Sequence, residues 1–165
     1  MDPQKEKPQT RETMSDALKR FGILEDFCSG WSLNRRAQLA AQQHNDSILC
    51  QLAGGDCDRV SAEILFDAWQ QGDEAATRGV NCFLDCYGRT LANVIALLNP
   101  DVVINGGGVA QRGTPLLKAI RQRVSQYVFE PFQLAFRIEL TTLGKQVVPV
   151  GALLLAAELG ASGNT

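Results

Sequence analysis

One stretch of the chain, residues 73–108, constrains its fold more than any other. From Asp73 onward apolar residues recur three to four positions apart, and this spacing places them on one face of a long helix. Proline cannot continue a helix, so this helix is predicted to end at Asn99 and Pro100. The apolar residues of the predicted face are Ala76, Val80, Phe83, Tyr87, Leu91, Val94 and Leu98.

The run DVVIN, residues 101–105, follows directly and leads into Gly106, Gly107 and Gly108. β-branched residues bounded by glycines indicate a short buried strand that ends in a tight turn. Glycines at the carboxyl end of a strand let backbone amides approach a ligand, which suits a nucleotide. A tight turn without a ligand explains the same spacing equally well. The pattern is not GxGxxG, because Gln111 stands where the third glycine is needed, and the chain has no GxxxxGK[ST] phosphate loop.

The rest of the chain shows further helical and strand patterns. Ser32 is a candidate N-cap for a helix through LNRRAQLAAQQ, and Ser61 and Gly72 bracket a second helix. Thr114 and Pro115 supply an N-cap and a first-turn proline for LLKAIRQRVSQYV. FRIELTTL alternates as a strand does, and VGALLLAAELG closes the chain as a helix. The order helices, strand, helix, strand, helix predicts a helix-rich α/β fold with a helical crossover between the two strands.

Composition predicts one globular domain and argues against two classes of partner. The chain has 165 residues, 16 Lys and Arg against 18 Asp and Glu, and a formal charge of -2. This charge gives no reason to expect direct binding to nucleic acid or to an anionic membrane. No apolar run approaches the ~18 residues of a membrane span, and the first 20 residues are too polar for a signal peptide, so a cytoplasmic protein is expected. Disordered tails are predicted at residues 1–17 and 161–165, on either side of a domain at 18–160.

The cysteines are predicted to be reduced thiols. No CxxC pair occurs, and an odd number of cysteines in a chain of this length argues against a disulfide framework. Cys82 and Cys86 lie one helical turn apart, but the sequence places no further ligand near them, so buried small side chains are expected there rather than a metal site. The five cysteines are Cys28, Cys50, Cys57, Cys82 and Cys86.

Six blocks of sequence carry a family resemblance. They are GILEDFCSGWSLNRRA, LAGGD, VSAEILFDAWQQGDEAA, LANVIALLNPDVVINGGGVA, PLLKAIRQRV and LGKQVVPVGALLLAAE. In order and spacing, from about Phe21 to Glu158, they resemble the C-terminal half of the ROK family of repressors, open reading frames and sugar kinases, above all its bacterial glucokinase branch. The resemblance implies the actin-like ATPase and sugar kinase fold (ribonuclease H-like), in which two α/β domains close over a cleft for ATP and sugar. This chain would be the helix-rich C-terminal domain.

The resemblance implies binding roles for four residues and a catalytic role for none. Gly106, Gly107 and Gly108 would belong to the turn that lines the ATP pocket. The GILE run puts Glu25 where the family's GCLE glutamate contacts sugar hydroxyls, and a carboxylate suits that role because it accepts two hydroxyl hydrogen bonds in fixed geometry. ATP, Mg²⁺ and a hexose are implied for the complete enzyme. A homodimer, or pairing with a missing N-terminal half, is expected.

Two departures from the family pattern limit what the chain can do. The family often holds a structural zinc through a CxCGxxGC run and an upstream histidine, but Asp16, Leu18 and Ile23 stand at the cysteine positions here, so no zinc is expected. The family's N-terminal half carries a DxGxT phosphate loop, an aspartate base in a DN-type motif and an ExGH block, and none of these motifs occurs in the sequence. Because phosphoryl transfer needs a base and an aligned acceptor and donor, the chain alone is expected to be inactive.

Three functions remain open on the sequence. The first is the C-terminal half of an ATP-dependent, glucokinase-like ROK sugar kinase. The second is the sugar-sensing domain of a ROK transcriptional repressor, which carries a winged helix-turn-helix ahead of both domains. The third is a non-catalytic module for oligomerisation or nucleotide binding.

The purified chain is predicted to hold no zinc, because a structural zinc needs about four nitrogen or sulfur ligands. Elemental analysis after dialysis should give far less than one zinc per chain. About one equivalent of zinc would contradict this prediction.

Overall fold

The computed structural model describes residues 24–44 and 46–162. The tail expected at 1–17 lies outside the described residues, as do Asp16, Leu18 and Ile23 and positions 163–165. In the described part the helices are α1 (Leu24–Cys28), α2 (Gly30–Gln43), α3 (Leu49–Leu52), α4 (Ala62–Gln70), α5 (Glu74–Leu98), α6 (Gly107–Ala110), α7 (Gly113–Ser125) and α8 (Val147–Ser162), and the strands are β1 (Val102–Asn105) and β2 (Arg137–Leu140). Single turns of 3-10 helix lie at Cys57–Arg59, Glu130–Phe132 and Gly144–Gln146.

The two strands form the parallel pair that the sequence predicts. Val102 is paired with Arg137 and Asn105 with Leu140, and α6 and α7 make the crossover between the strands. Ile138 is buried, while Arg137 and Glu139 on either side of it are exposed, in the alternation expected of a sheet with one covered face. The helix-rich α/β arrangement is therefore confirmed.

Helix α5 begins and ends where its sequence predicts. The Asp73 carboxylate caps it by accepting from the backbone N–H of Ala76 at 2.8 Å. Its Oδ2 also accepts from the N–H of Ile48 at 3.0 Å, which ties the start of α5 to the segment before α3. At the other end Asn99 adopts a left-handed conformation with φ 44° just before Pro100.

The predicted apolar face of α5 is correct for most of its length and wrong at its end. Phe83 and Leu91 are buried as expected, but Leu98 is 73% exposed. Ala92 and Ile95 are buried in its place. Apolar residues crowd the last three turns of α5, so more than one row has suitable spacing, and the sequence alone does not show which row is covered.

Close packing of α5 against α7 depends on a glycine. A Cβ atom at Gly88 would lie 2.8 Å from Arg123 Cγ and 3.3 Å from Arg123 Cβ, closer than ordinary contact allows. Arg123 crosses this contact to pair with Asp85, which also accepts from the Tyr127 hydroxyl at 2.8 Å. The hydrogen bond from Tyr127 and the charge of Arg123 hold the pKa of Asp85 below its ordinary value.

Two predicted helix starts differ from the structure. Ser29, not Ser32, caps α2 by accepting from the Ser32 N–H at 3.2 Å, so the helix begins at Gly30. Helix α7 begins at Gly113, and Thr114 lies inside it rather than at its cap. Pro115 still fits there, because the first N–H groups of a helix have no partner within the helix.

The prediction of reduced cysteines is wrong for one pair. Cys50 and Cys57 form a disulfide, with 4.5 Å between their Cα atoms. The turn at Gly54 and Gly55 folds the chain back and brings the two cysteines together, a proximity that an even-or-odd count does not reveal. Cys82 is exposed rather than buried, and the Arg36 guanidinium donates to its sulfur at 3.2 Å.

The last helix leaves a large apolar surface open. In α8 every residue from 151 to 161 is exposed, and the exposed side chains include Leu153, Leu154, Leu155 and Leu159. A helix that is apolar on all sides is usually buried. Among the described helices none is long and apolar enough to cross a membrane.

The Asp73 cap should make stability depend on pH. Burial acts to raise the pKa of Asp73, but hydrogen bonds from the Ala76 and Ile48 amides lower it below its ordinary value. Because the pKa of Asp73 is lower in the folded state, its ionised carboxylate stabilises the fold above about pH 3.9. This stabilisation is lost as the pH falls through the folded-state pKa. Asp73→Ala should lower the free energy of unfolding by about 1–2 kcal/mol at pH 7.

Urea unfolding between pH 2.5 and 7 measures this contribution. Asp73→Asn is the matched control, because an asparagine still caps the helix but does not titrate. Its stability should fall less than that of the wild type over this pH range. Equal pH dependence in the two proteins would contradict the role given to the carboxylate.

Candidate functional site

A cavity of about 260 Å³ lies where α2, α4 and the turn after β1 meet. Its lining combines backbone at two glycines, one buried aromatic ring and a polar rim. The lining residues are Gly30, Asn34, Ser61, Ala62, Glu63, Phe66, Gly108 and Arg112.

The end of β1 fixes the glycine turn beside this cavity. Asn105 is buried, and its side chain accepts from the Tyr87 hydroxyl and donates to the Glu139 carbonyl at 3.3 Å. Burial raises the pKa of Tyr87, so its hydroxyl keeps the proton that it donates. The turn therefore starts from a strand end that is held by α5 on one side and β2 on the other.

The three glycines of the turn have different surroundings. A Cβ atom at Gly106 would lie 3.6 Å from Val147 Cγ1, an ordinary contact. Gly107 has φ +79° with open space around its Cβ position, so a side chain there would strain the backbone rather than clash. Gly108 lines the cavity and has no neighbour within 4 Å of its Cβ position. Gly108 is thus the position where a side chain would enter the cavity.

Three amide side chains on one face of α2 stabilise the opposite wall of the cavity. Asn34, Gln38 and Gln42 are four residues apart and therefore share one face of the helix. Asn34 Oδ1 accepts from the Ala62 N–H at 2.6 Å, and Gln38 Nε2 donates to the Asp58 carbonyl at 2.7 Å. Gln42 Nε2 donates to Asp58 Oδ1 at 2.8 Å. These bonds fix the start of α4, where Ser61 caps the helix through the Ile64 N–H at 3.3 Å.

The charged groups of the rim come from α4 and from the residue before α7. Arg112 Nη1 lies 3.5 Å from Asp67 Oδ1, and its Nη2 lies 3.8 Å from Glu63 Oε1. The Arg112 side chain is only 21% exposed. Of the two carboxylates only Glu63 lines the cavity, and it lies beside the Arg112 cation.

The floor of the cavity is apolar. Phe66 is 1% exposed and packs edge-to-face on Phe83 at 6.0 Å between ring centroids. Phe83 in turn stacks on Tyr87 at 5.3 Å. An apolar floor beneath a polar rim fits a flat ring with polar edges.

Glu25 does not join the glycines in this lining. It lies exposed in the first turn of α1, and its carbonyl accepts from the Ser29 N–H at 3.0 Å. The neighbouring Asp26 turns Oδ2 inward, where this oxygen has no hydrogen-bond partner. Because only Ser29 separates α1 from α2, Glu25 is five residues before Gly30 of the lining.

Sequence reasoning found the glycine turn and missed the rest of the rim. The sequence marks Ser61 only as a helix cap, and no local pattern marks Asn34, Glu63 or Arg112. The four-residue spacing of Glu63 and Asp67 is visible in the sequence, but it does not say that an arginine 45 residues later closes the pair. No group of three or more His, Cys, Asp and Glu side chains in the described ranges could hold a metal ion.

Comparison with a family model identifies the family of this chain. The model described as the ROK family matches residues 19–159. The chain belongs to the ROK family. This confirms the family resemblance carried by the six sequence blocks.

Individual relatives of the chain are sugar kinases by name. The chain is 28% identical over 137 residues to a glucokinase of Thermotoga maritima, covering 83% of this chain and 43% of the relative. It is 29% identical over 97 residues to a β-glucoside kinase of Klebsiella pneumoniae, covering 59% of this chain and 31% of the relative. The chain therefore spans well under half the length of these relatives.

Solved structures share the fold. A ROK family glucokinase from Streptomyces griseus, in complex with glucose and AMPPNP, aligns with a TM-score of 0.68 and 26% identity over 76% of this chain and 41% of that one. A ROK hexokinase from Thermus thermophilus aligns with a TM-score of 0.58 and 27% identity over 76% of this chain and 38% of that one. The described fold is thus that of the ROK sugar kinases.

Proposed function

We propose that this chain is the C-terminal portion of an ATP-dependent, glucokinase-like ROK sugar kinase, and that its cavity binds the nucleotide. One observation carries the proposal: the turn of Gly106 to Gly108 borders a cavity with an apolar floor and a polar rim, in a fold shared with a glucokinase that binds AMPPNP. The adenosine would enter beside Gly108, with its ring over Phe66.

The requirements of phosphoryl transfer indicate which steps this portion of the kinase would support. The γ-phosphoryl group of ATP passes to a sugar hydroxyl, and the enzyme must hold both in line and take the hydroxyl proton. Glu63, the one carboxylate among the described lining residues, lies 3.8 Å from Arg112, so the cavity presents no unpaired carboxylate as a base. This chain would bind and orient substrates, and the proton would be taken by a residue outside it.

Glu25 is the proposed sugar contact. It is exposed near the start of α1, and with no partner among the described residues its carboxylate can accept two hydroxyl hydrogen bonds. Its position outside the cavity lining agrees with separate sugar and nucleotide sites in one cleft. The cleft would be completed by the other portion of the kinase.

Mg²⁺ accompanies ATP in kinases, where one or two carboxylates and the phosphates commonly hold it. The donor set of the cavity does not fit a metal site, because Glu63 is the one carboxylate among the described lining residues and it lies beside the Arg112 cation. The proposed role of this portion is therefore binding of the nucleoside.

A kinase origin is preferred to the repressor and to the stand-alone module. The relatives described above are kinases by name, and the exposed apolar helix α8 favours a chain that works against another surface. That surface would be a second copy or the N-terminal portion of the kinase.

The first test concerns the glycine turn. Gly108→Val should weaken binding of AMPPNP by ~10-fold or more, on the order of 1.4 kcal/mol, because its side chain would occupy the cavity. Gly107→Val should instead lower the melting temperature, because valine at φ +79° costs roughly 1–2 kcal/mol. Calorimetric titration and thermal unfolding separate the two effects.

Gly151→Val in α8 is the matched control for both glycine variants, since its Cβ position is also open and lies outside the cavity. AMPPNP binding should be the same in this control and in the wild type. Unchanged binding in Gly108→Val would contradict the nucleotide site.

The second test concerns activity. The chain alone should not phosphorylate glucose above background, because loss of the general base costs typically 10²–10⁴-fold even in an intact site. Joined to the N-terminal portion of a ROK glucokinase, it should become active. In that joined enzyme Glu25→Ala should raise KM for glucose by at least ~10-fold, since a hydrogen bond to a charged group contributes about 1.5–3 kcal/mol.

A coupled assay measures both parts of this prediction. Glu130→Ala, an exposed position in the 3-10 turn before β2, is the matched control and should leave KM unchanged. If the chain alone, free of host kinase, phosphorylated glucose, the proposal that the proton is taken by a residue outside this chain would be refuted. A KM unaffected by Glu25→Ala would remove Glu25 from the sugar site.

A further inference from the structure

The position of Arg112 leaves the flat face of its guanidinium available to a ligand in the cavity. Its two terminal nitrogens lie 3.5 Å from Asp67 Oδ1 and 3.8 Å from Glu63 Oε1, so the edge of the guanidinium that carries them is turned toward α4. The side chain nevertheless keeps 21% of its surface exposed and lines the cavity. The flat face of the guanidinium is the part that remains available.

A fixed guanidinium face is a good partner for an aromatic ring. Arginine stacks on ring systems through its planar, delocalised charge, and lysine, whose charge is a compact point, cannot reproduce this contact. Two carboxylates on consecutive turns of α4 attract its terminal nitrogens at 3.5 and 3.8 Å, and the side chain is 21% exposed, so less side-chain freedom would be lost on stacking than for a fully exposed arginine. The acidic partners also offset the positive charge that would otherwise draw the side chain toward phosphates.

The cavity offers a second surface for the same ring. Phe66 is buried at the floor and is itself held edge-to-face by Phe83. Gly30 and Gly108 add no side chains to the lining, and no atom lies within 4 Å of either Cβ position. At these two positions the lining beside Arg112 is therefore open to a flat group.

We infer that Arg112 is the base-stacking residue of the cavity, binding the purine of a nucleotide through its guanidinium face and not through the phosphates. This inference rests on the proposed nucleotide site and adds to it the residue that contacts the base. Glu63 and Asp67 are positioning residues for Arg112. A nucleoside without phosphates should then depend on Arg112 as strongly as the triphosphate does.

Calorimetric titration of the full chain with adenosine and with ATP tests the inference. Arg112→Lys keeps the charge and removes the plane, and it should weaken adenosine and ATP by the same factor, about fivefold. Arg78→Lys is the matched control, because Arg78 pairs with Glu74 on α5 outside the cavity lining, and it should leave both affinities unchanged. Thermal unfolding of each variant checks that it is folded.

The possible results are distinct. Equal adenosine affinity in the wild type and Arg112→Lys overturns the inference but not the nucleotide site. A loss confined to ATP assigns Arg112 to the phosphates and likewise overturns it. A folded wild-type chain that binds neither adenosine nor ATP overturns the proposed nucleotide site and this inference together.

Discussion

Helix α5, with 25 residues and a wide apolar surface, must be covered by several neighbouring helices. These neighbours come from the parts of the chain before and after α5. Helices α1, α2 and α4 pack on it from the N-terminal side of the chain, and α7 packs on it from the C-terminal side. Phe83, at its centre, is fully buried and contacts Phe66 of α4. The relative placement of the two halves of the described chain therefore depends on α5.

The candidate site exists because both of its walls are attached to this helix. Helix α4 reaches it through the contact of Phe66 with Phe83, and the end of β1 reaches it through the hydrogen bond between Tyr87 and Asn105. Phe83 and Tyr87 are one turn apart and stack on each other, so the floor of the cavity and the anchor of the glycine turn form one aromatic row. A displacement along α5 would move both walls together and keep the cavity intact.

Local rules predicted the features that local chemistry controls. Ser61 caps the helix that it was expected to cap, α5 begins just after Asp73 and ends at Asn99, and the run DVVIN with its glycines forms a strand and a turn. In each case the decisive residues lie within four positions of the feature. Family resemblance supplied the likeness to sugar kinases, which local rules alone do not.

The polar rim and the disulfide escaped prediction because both depend on distant residues. Arg112 meets Glu63 only after a helix, a strand and a turn have brought them together, and nothing near either residue signals the partner. Cys50 and Cys57 are closer in sequence, but their pairing depends on a turn of two left-handed glycines between them.

The apolar helix α8 was predicted correctly as a helix, yet its exposure reflects packing that the described residues do not provide. Its exposed leucines still have 58–71% of their surface in solvent, so covering each would contribute roughly 1–2 kcal/mol. The N-terminal portion of the proposed kinase, or a second copy of this chain, would gain that stabilisation on docking, and an isolated chain forgoes it.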